Sequence, residues 1–225
     1  MHKLKERDIT MAAKKEETAS NDIRRIRVKL RFTDECLGTA SANPEIHAEF
    51  IASNAPDAPS RTEEIAAVGV EEYEQKQMTV FPRTEGGDPF LWDYQIRGFF
   101  KDCCSALQRC KDYKGAKASC AIKAYKKIID GCIFVEPRQI MIRMPKGAVV
   151  GDLQRPLRAQ TPQGERVALA RSETIPAGST IEFEIILLSE QYEAAVMEWL
   201  NYGRYKGIGQ WRNAGKGRFT YEIVK

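Results

Sequence analysis

The feature that most restricts the fold is a strict alternation of apolar and basic residues over residues 26–32, IRVKLRF. Four apolar side chains occupy one side of an extended chain, namely Ile26, Val28, Leu30 and Phe32. Three basic side chains occupy the other side, namely Arg27, Lys29 and Arg31. Because successive side chains of a strand point to opposite faces, the pattern predicts a strand with one buried face and one open, basic face.

The rest of the sequence alternates predicted helices and strands. Helices are predicted over residues 43–53, 90–110, 116–130 and 190–202. Strands are predicted over residues 77–83, 133–144 with a break at Pro137, 153–159, 165–171, 180–188 and 219–225. This order predicts an α+β fold with an antiparallel sheet. Either one embellished ferredoxin-like (RRM-like) unit or two tandem units, over residues 23–135 and 136–225, would satisfy it.

Two polar stretches lie outside the predicted core. Residues 1–22 contain no apolar segment that would act as a signal, so we expect a disordered tail ahead of a single domain over residues 23–225. Residues 54–76 are predicted to be an exposed insertion, because residues 57–74 carry six acids and a single base, Arg61. No apolar run approaches the roughly 18 residues that cross a bilayer, so we expect a cytoplasmic protein.

The segment before the last predicted strand, residues 207–219 with the sequence GIGQWRNAGKGRF, combines glycines with cations. Glycine surrenders the most chain entropy on ordering, so its repeated use indicates positive-φ turns or close backbone approach. The net charge of +4 does not itself predict a nucleic-acid partner, but residues 203–219 carry five bases and no acid. We expect outward-facing amides and these bases to bind phosphate, with Trp211 as a stacking plane; a tight edge hairpin is the alternative.

The spacing G-I-G-x5-G-K-G-R-F ahead of a terminal strand resembles the glycine-rich loop of the RAMP superfamily, the CRISPR-associated repeat-associated proteins. In that superfamily, the loop lies between the last helix and the last strand of a ferredoxin-like fold and contacts guide RNA. The segments YQIRGFFKDCCSAL and RPLRAQTPQGERVALARSETIPAGSTIEFEI also look similar to parts of RAMP proteins that flank the RNA path. Lys216 departs from the pattern, since an apolar residue is more usual there.

The resemblance implies a prokaryotic or phage protein that holds single-stranded or guide-type RNA without cleaving it, with protein partners in a ribonucleoprotein assembly. Basic side chains would bind phosphates, and flat surfaces would stack on bases. The residues expected to contact RNA are Arg27, Lys29, Arg31, Arg155, Arg158, Arg166, Gly207, Gly209, Trp211, Arg212, Gly215, Lys216, Gly217 and Arg218. A plain solvated face is the alternative explanation of the basic stripe over residues 26–32.

Three other functions remain open from the sequence. A metal-independent endoribonuclease would use His47, because imidazole suits acid–base chemistry at neutral pH and His47 is the only histidine outside the tail. A protein that sequesters a nucleotide or another phosphorylated small ligand, including a viral one, would use the same amides. A scaffold protein would use the acidic residues 57–74 to contact a basic partner.

The six cysteines do not predict a metal site. They are Cys36, Cys103, Cys104, Cys110, Cys120 and Cys132. No C-x-x-C pair occurs, and no histidine lies among them. We therefore expect reduced thiols that pack as small apolar side chains, and we expect neither a metal nor a cofactor.

Overall fold

The computed structural model describes residues 23–41, 78–161 and 164–224, and the side chains of residues 157–169 are not described. The predicted tail, the predicted helix over 43–53 with His47, and the acidic insertion over 54–76 lie outside the described residues. Within these ranges the chain forms two sheets and four α-helices. The strands are β1 (Arg24–Phe32), β2 (Cys36–Leu37), β3 (Ala40–Ser41), β4 (Thr79–Val80), β5 (Phe90–Trp92), β6 (Ile133–Glu136), β7 (Gln139–Arg143), β8 (Gly151–Thr161), β9 (Gly164–Ile175), β10 (Thr180–Leu187) and β11 (Phe219–Val224).

The larger sheet has the order β11-β1-β10-β7-β5, and β6 also pairs with β10. Its strand pairs are antiparallel. The helices are α1 (Asp93–Leu107), α2 (Lys117–Ala121), α3 (Tyr125–Cys132) and α4 (Glu193–Lys206). In chain order, β1, α1, the β6–β7 pair, β10, α4 and β11 form the β-α-β-β-α-β arrangement of a ferredoxin-like fold. The predicted α+β class with an antiparallel sheet is therefore confirmed.

The central strand β1 pairs with β10 on one side and with β11 on the other. The larger sheet therefore takes strands from both halves of the chain, and it forms one ferredoxin-like unit rather than one unit in each half. The first helix of this unit is α1. Several predicted elements change their bounds, because α1 begins only after the short strand β5, and the helix predicted over 116–130 is divided into α2 and α3. The division falls at Ala124, which has a positive φ of 50°.

The core lies between the larger sheet and helices α1 and α4. The alternation predicted for β1 is confirmed, since its apolar side chains are buried, Arg27 and Arg31 are exposed, and Lys29 is half-buried. Phe100 of α1 contacts Trp199 of α4 with ring centroids 5.3 Å apart, and Phe99 contacts Phe219 of β11 at 5.7 Å. None of the helices in the described ranges is both long and apolar enough to span a bilayer.

The six cysteines differ in burial. Cys36, Cys103 and Cys104 are buried, as predicted for thiols that act as small apolar side chains, and Cys132 is half-buried. Burial raises the pKa of Cys36 to about 12 and that of Cys104 to about 11. The prediction is wrong for Cys110 and Cys120, which are exposed. Among the described residues, no group of three or more histidine, cysteine or acidic side chains is arranged to hold a metal ion.

The smaller sheet has the order β2-β9-β4-β3, and β8 pairs with β9 along its full length. The pairing runs from Gly151 opposite Thr174 to Thr161 opposite Gly164, so β8 and β9 form a long antiparallel hairpin. Both strands were predicted, and both are longer than the sequence pattern indicated. The hairpin is connected to the larger sheet through β2, whose Cys36 and Leu37 pair with Ile175 and Thr174.

Candidate nucleic-acid interface

The glycine segment, which we define as residues 207–217, is a compact loop between α4 and β11. Its amides are largely bonded within the protein. The Gly207 N–H donates to the Gly203 carbonyl oxygen at 2.8 Å and closes the end of α4. The Ile208 N–H donates to the Gly217 carbonyl oxygen at 2.9 Å, and the Gly217 N–H donates to the Glu35 carbonyl oxygen at 2.7 Å.

The Gly215 N–H is also bonded internally, to the carbonyl oxygen of Arg212 at 3.0 Å. The predicted nest of outward-facing amides is therefore wrong for Gly207, Gly215 and Gly217. An N–H group that already donates to a protein carbonyl has no donor left for a phosphate. The amides of Gly207, Gly215 and Gly217 are therefore not open to an anion.

Close backbone packing explains the glycines. All four have positive φ angles, from 72° at Gly217 to 88° at Gly209. A Cβ atom placed on Gly217 would lie 1.8 Å from the Ile208 carbonyl oxygen, and one on Gly207 would lie 2.4 Å from the Lys216 carbonyl oxygen. A Cβ atom on Gly209 would lie 2.9 Å from the Leu37 carbonyl oxygen. The loop backbone thus packs against itself and against β2.

The cations of the glycine segment meet acids from other parts of the chain. Lys216 Nζ lies 2.6 Å from a Glu35 carboxylate oxygen. Arg212 forms an ion pair with Asp102 of α1, and Lys206 Nζ lies 3.8 Å from the same carboxylate. Two cations therefore share one acid at Asp102, which leaves a local excess of positive charge. Arg218 is exposed and forms no ion pair within the described ranges.

Trp211 is held in an unusual backbone conformation. Its φ of 52° lies in the left-handed region, immediately before the 3₁₀ turn Arg212–Ala214. Residues other than glycine, asparagine and aspartate rarely adopt this backbone conformation, which costs about 1 kcal/mol or more. The indole is only half-buried. Strain of this kind is frequent at functional sites, so it favours a role for this loop beyond packing.

Within the basic stripe of β1, Lys29 is flanked by acids on both neighbouring strands, whereas Arg27 and Arg31 are exposed and form no ion pair with the described residues. Lys29 Nζ lies 3.6 Å from a Glu182 carboxylate oxygen on β10 and 3.7 Å from one of Glu222 on β11. The open face of the sheet therefore carries alternating charges. This arrangement favours the solvated-face explanation of the stripe.

The predicted contacts in the hairpin lie farther from the glycine segment. Arg155 is exposed on β8, four residues beyond Gly151, or roughly 13 Å along the strand. The backbones of Arg158 and Arg166 lie farther toward the tip, opposite Val167 and Ala159 respectively. The structure thus brings the base of the hairpin to the glycine segment through β2, but not the predicted arginines.

A cleft with a volume of about 620 Å³ lies beside the glycine segment. Ile208, Gly209 and Arg212 line one side, and residues 39–41 with 78–79 line another. Between them lies the outer face of α1, with Tyr94, Gln95, Gly98 and Asp102. No atom of the described residues lies within 4 Å of a Cβ placed on Gly98, so these residues leave the surface of α1 open at that point. Gly98 belongs to the segment YQIRGFFKDCCSAL, and the cleft beside it was not predicted from the sequence.

An aromatic pair lines the cleft, and it consists of the half-buried Trp92 and the exposed Tyr94. The rings of Trp92 and Tyr94 have centroids 6.2 Å apart and planes inclined by only 16°, and Tyr94 is 50% exposed. The Arg138 guanidinium lies 5.6 Å from the centre of the Trp92 ring. The Trp92 N–H donates to the side-chain oxygen of Gln95 at 2.7 Å, which fixes the start of α1. Burial and the nearby Asp93 carboxylate raise the pKa of Tyr94, so the ring is neutral at physiological pH.

This pair was not predicted, because the apolar spacing over residues 90–110 does not show which aromatic side chain faces the sheet. In the structure, Ile96 and Phe100 of α1 are buried, whereas Tyr94 lies in the first turn of the helix and is exposed. Stacked rings beside a cation form a surface on which a nucleobase can stack. The interface thus combines a stacking platform at Tyr94 with cations at Arg212 and Lys206.

The arrangement defines a ferredoxin-like α+β protein with a cleft beside the loop between its last helix and last strand. No family model matches the chain, and no curated protein matches it. Among solved structures, it is similar to a chain of the Type III-B Cmr-beta complex bound to cognate target RNA, with a TM-score of 0.52 and 11% identity over 98% of this chain and 67% of that chain. It is also similar to a chain of a Type IV-B CRISPR complex, with a TM-score of 0.44 and 12% identity over 89% of this chain and 90% of that chain. At these identities the likeness to Cmr-beta supports the fold.

Proposed function

We propose that this protein is a RAMP-like subunit of a ribonucleoprotein assembly and that it holds single-stranded RNA in the cleft between α1 and the glycine segment. The observation that carries the proposal is the cleft itself, which is lined by both the exposed ring of Tyr94 and the guanidinium of Arg212. The Cmr-beta chain of the same fold comes from a complex bound to target RNA, and this supports RNA as the ligand. Fold alone does not determine function, so the proposal depends on the side chains.

The chemistry of the cleft suits single-stranded RNA. A base would stack on Tyr94, because an aromatic ring offers a flat apolar surface to any base. A phosphate would approach Arg212 and Lys206, whose shared partner Asp102 neutralises only one of their two charges. Arg218 would add a further cation at the same loop.

The glycines have a positioning role in this proposal. They permit the tight turn that places Arg212 and Lys216 between α1 and the β1–β2 connection. The amides of Gly207, Gly215 and Gly217 do not contact RNA in this proposal, because they donate to protein carbonyls. Trp211 is proposed as a second stacking surface. The hairpin cations Arg155, Arg158 and Arg166 would extend the path beyond the cleft. We place no RNA on the stripe of Arg27, Lys29 and Arg31, because acids of β10 and β11 flank Lys29.

The test is direct binding of a labelled 20-nucleotide single-stranded RNA, measured by fluorescence anisotropy at 50 and 200 mM salt. If about three phosphates are neutralised, the affinity falls roughly 20-fold between these salt concentrations. The variant carrying Arg212→Ala and Arg218→Ala is expected to bind at least tenfold more weakly. Arg143→Ala, at an exposed site outside the cleft, is the matched control and is expected to bind as the parent does. Absence of binding at 50 mM salt, or equal binding by the two variants, would overturn the proposal.

Binding without cleavage is part of the proposal. A cleavage assay with His47→Ala tests the alternative, in which the protein is a metal-independent endoribonuclease. RNA that stays intact with the parent protein would support binding alone. Cleavage by the parent that is lost in the variant would establish the nuclease instead.

The size of the cleft supports a second candidate function, the sequestering of a nucleotide or another phosphorylated small ligand. A volume of about 620 Å³ lies within the range of small-molecule sites. Calorimetric titration with single nucleotides separates the two functions. A nucleotide that binds more tightly than the RNA, with a shallower salt dependence, would favour the small ligand.

A further inference from the structure

A second cationic surface lies beyond the end of α1, in residues 109–127, and we call it the lysine surface. Its seven basic side chains are all exposed, and they are Arg109, Lys111, Lys114, Lys117, Lys123, Lys126 and Lys127. Asp112 is the only acid in this range. None of the seven bases has an ion pair or a side-chain hydrogen bond in the part of the chain that the structure describes.

The lysine surface is held on a fixed backbone. The Glu198 carboxylate of α4 accepts hydrogen bonds from the N–H groups of Ala118 and Ser119, both at 2.8 Å, and from the Ser119 hydroxyl at 2.6 Å. The Gln108 side-chain amide donates to the carbonyl oxygens of Ser119 and Ile122. Like charges on such a backbone cannot separate freely, so the fold retains their mutual repulsion. Retained repulsion of this kind favours binding of a polyanion.

An exposed aromatic ring lies among these bases. Tyr113 is 58% exposed, between Lys111 and Lys114 in the chain. Its ring lies against Gly115, where a Cβ atom would be 2.7 Å from the ring atoms. Basic side chains on either side of a flat, exposed ring suit single-stranded nucleic acid, because its phosphates bind cations and its nucleobases stack on aromatic rings. An acidic peptide would need the cations alone.

The lysine surface is close to the proposed cleft. Asp102 lines the cleft, and α1 ends five residues later at Leu107, which is about 8 Å along the helix. Arg109, the first base of the lysine surface, follows the end of this helix by two residues. A single strand that leaves the cleft reaches this surface within a few nucleotides.

We propose that the lysine surface is a second RNA-binding site, which binds the phosphate backbone outside the cleft and stacks one base on Tyr113. The inference rests on the proposed function, because it takes RNA as the ligand. It adds a separate set of contacts that only a longer RNA can reach.

The test compares an 8-nucleotide RNA with a 30-nucleotide RNA on the full chain. The test variant carries Lys111→Gln, Lys114→Gln and Lys117→Gln. The matched control removes three exposed cations elsewhere, by Arg31→Gln, Arg143→Gln and Lys146→Gln. For the long RNA, we expect the test variant to bind roughly tenfold more weakly and the slope of log affinity against log salt to fall by about 2. The short RNA and the control variant should keep the parental affinity. Circular dichroism melting verifies that both variants fold.

A second variant tests the aromatic contact. Tyr113→Ala should lower the affinity for the long RNA severalfold and should not change the affinity for a long strand that lacks nucleobases. Tyr113→Phe should retain the parental affinity for both. If the parent binds the long RNA and the lysine and Tyr113 variants bind it equally well, this inference is overturned and the proposed function remains intact. Absence of RNA binding by the parent would overturn the proposed function as well. Stronger competition by polyglutamate than by RNA of equal charge would assign the lysine surface to an acidic protein.

Discussion

The glycine segment and the lysine surface are both basic in sequence, but they differ in whether their cations form ion pairs with acids elsewhere in the chain. At the glycine segment, acids from distant positions approach the cations, so that Glu35 pairs with Lys216 and Asp102 pairs with Arg212. At the lysine surface, none of the seven cations forms an ion pair with an acid of the described residues. A run of charge in a sequence therefore indicates a binding surface only when the tertiary structure leaves it without partners.

The largest expected effect is on the free energy of unfolding, and it comes from replacing a closely packed glycine, Gly217, rather than the open Gly98. We expect Gly217→Ala to destabilise the protein by about 3 kcal/mol or more, because a Cβ atom would lie 1.8 Å from a carbonyl oxygen at a φ of 72°. Gly98→Ala, in α1 with open space around it, should stabilise the protein by about 0.5–1 kcal/mol. Urea denaturation measures both. A stable Gly217→Ala protein would show that the loop is not held by close backbone packing.

The next largest effect on stability is expected from Glu198, whose carboxylate holds the backbone of the lysine surface. Glu198→Ala removes the acceptor of three hydrogen bonds from Ala118 and Ser119, so we expect a loss of about 2–3 kcal/mol and faster amide exchange in residues 117–127. Glu190→Ala, at an exposed site near the same helix, is the control and should change stability by less than about 0.5 kcal/mol. Unchanged amide exchange in Glu198→Ala would mean that this carboxylate does not fix the surface.

The thiols of the two regions should differ in their response to pH. Cys36 is buried beside the glycine segment, and burial raises its pKa to about 12. The folded state therefore holds this proton more strongly than the unfolded state, so stability from Cys36 is complete below about pH 9 and falls as the pH rises toward 12. We expect unfolding at pH 10 to require about 1 kcal/mol less than at pH 8, with a smaller difference in Cys36→Ala.

Thiol labelling at pH 8 gives a second measurement of the same contrast. Cys110 and Cys120 of the lysine surface are exposed and should react rapidly, whereas Cys36 should react only on unfolding. Rapid labelling of Cys36 in the native protein would contradict its burial beneath the glycine segment.

The smallest expected effect is a change in RNA affinity when Asp102, the acid that pairs with Arg212 and Lys206, loses its charge. Asp102→Asn releases Arg212 and Lys206 from their shared partner, so RNA should bind a few-fold more tightly and with a steeper salt dependence. Asp130→Asn, which removes the partner of Lys101 elsewhere on α1, is the control. The loss of stability should be under about 1 kcal/mol, because these ion pairs are partly exposed. Weaker RNA binding by Asp102→Asn would place the phosphates away from Arg212.

Local patterns in the sequence predicted much of the fold. The alternation over residues 26–32 predicted the central strand, Pro137 marked the break between β6 and β7, and the glycines marked the loop before β11. These features depend on neighbouring residues, so they can be read along the chain. The start of α1 after β5 and the break at Ala124 were missed, because sheet pairing and packing decide such boundaries.

The candidate interface was predictable only in part. The glycine segment was identified, but its amides were assigned to a ligand when they bond to carbonyls of Gly203, Glu35 and Gly217 itself. The cleft was not predicted, because its sides come from positions as far apart as residues 39 and 212. The lysine surface was not predicted, because the sequence does not show that its cations form no ion pair with the other described residues.

The sequence by itself determined that the chain has a central one-sided strand, helices to cover it and a glycine loop at its end, because such features follow from the period of apolar residues and from the conformational freedom of glycine. Only the tertiary structure decided which amides and cations are left for a ligand. The physical reason is that hydrogen bonds and ion pairs are satisfied by whichever groups the fold brings together, and those groups here are separated by as many as 181 residues in the chain.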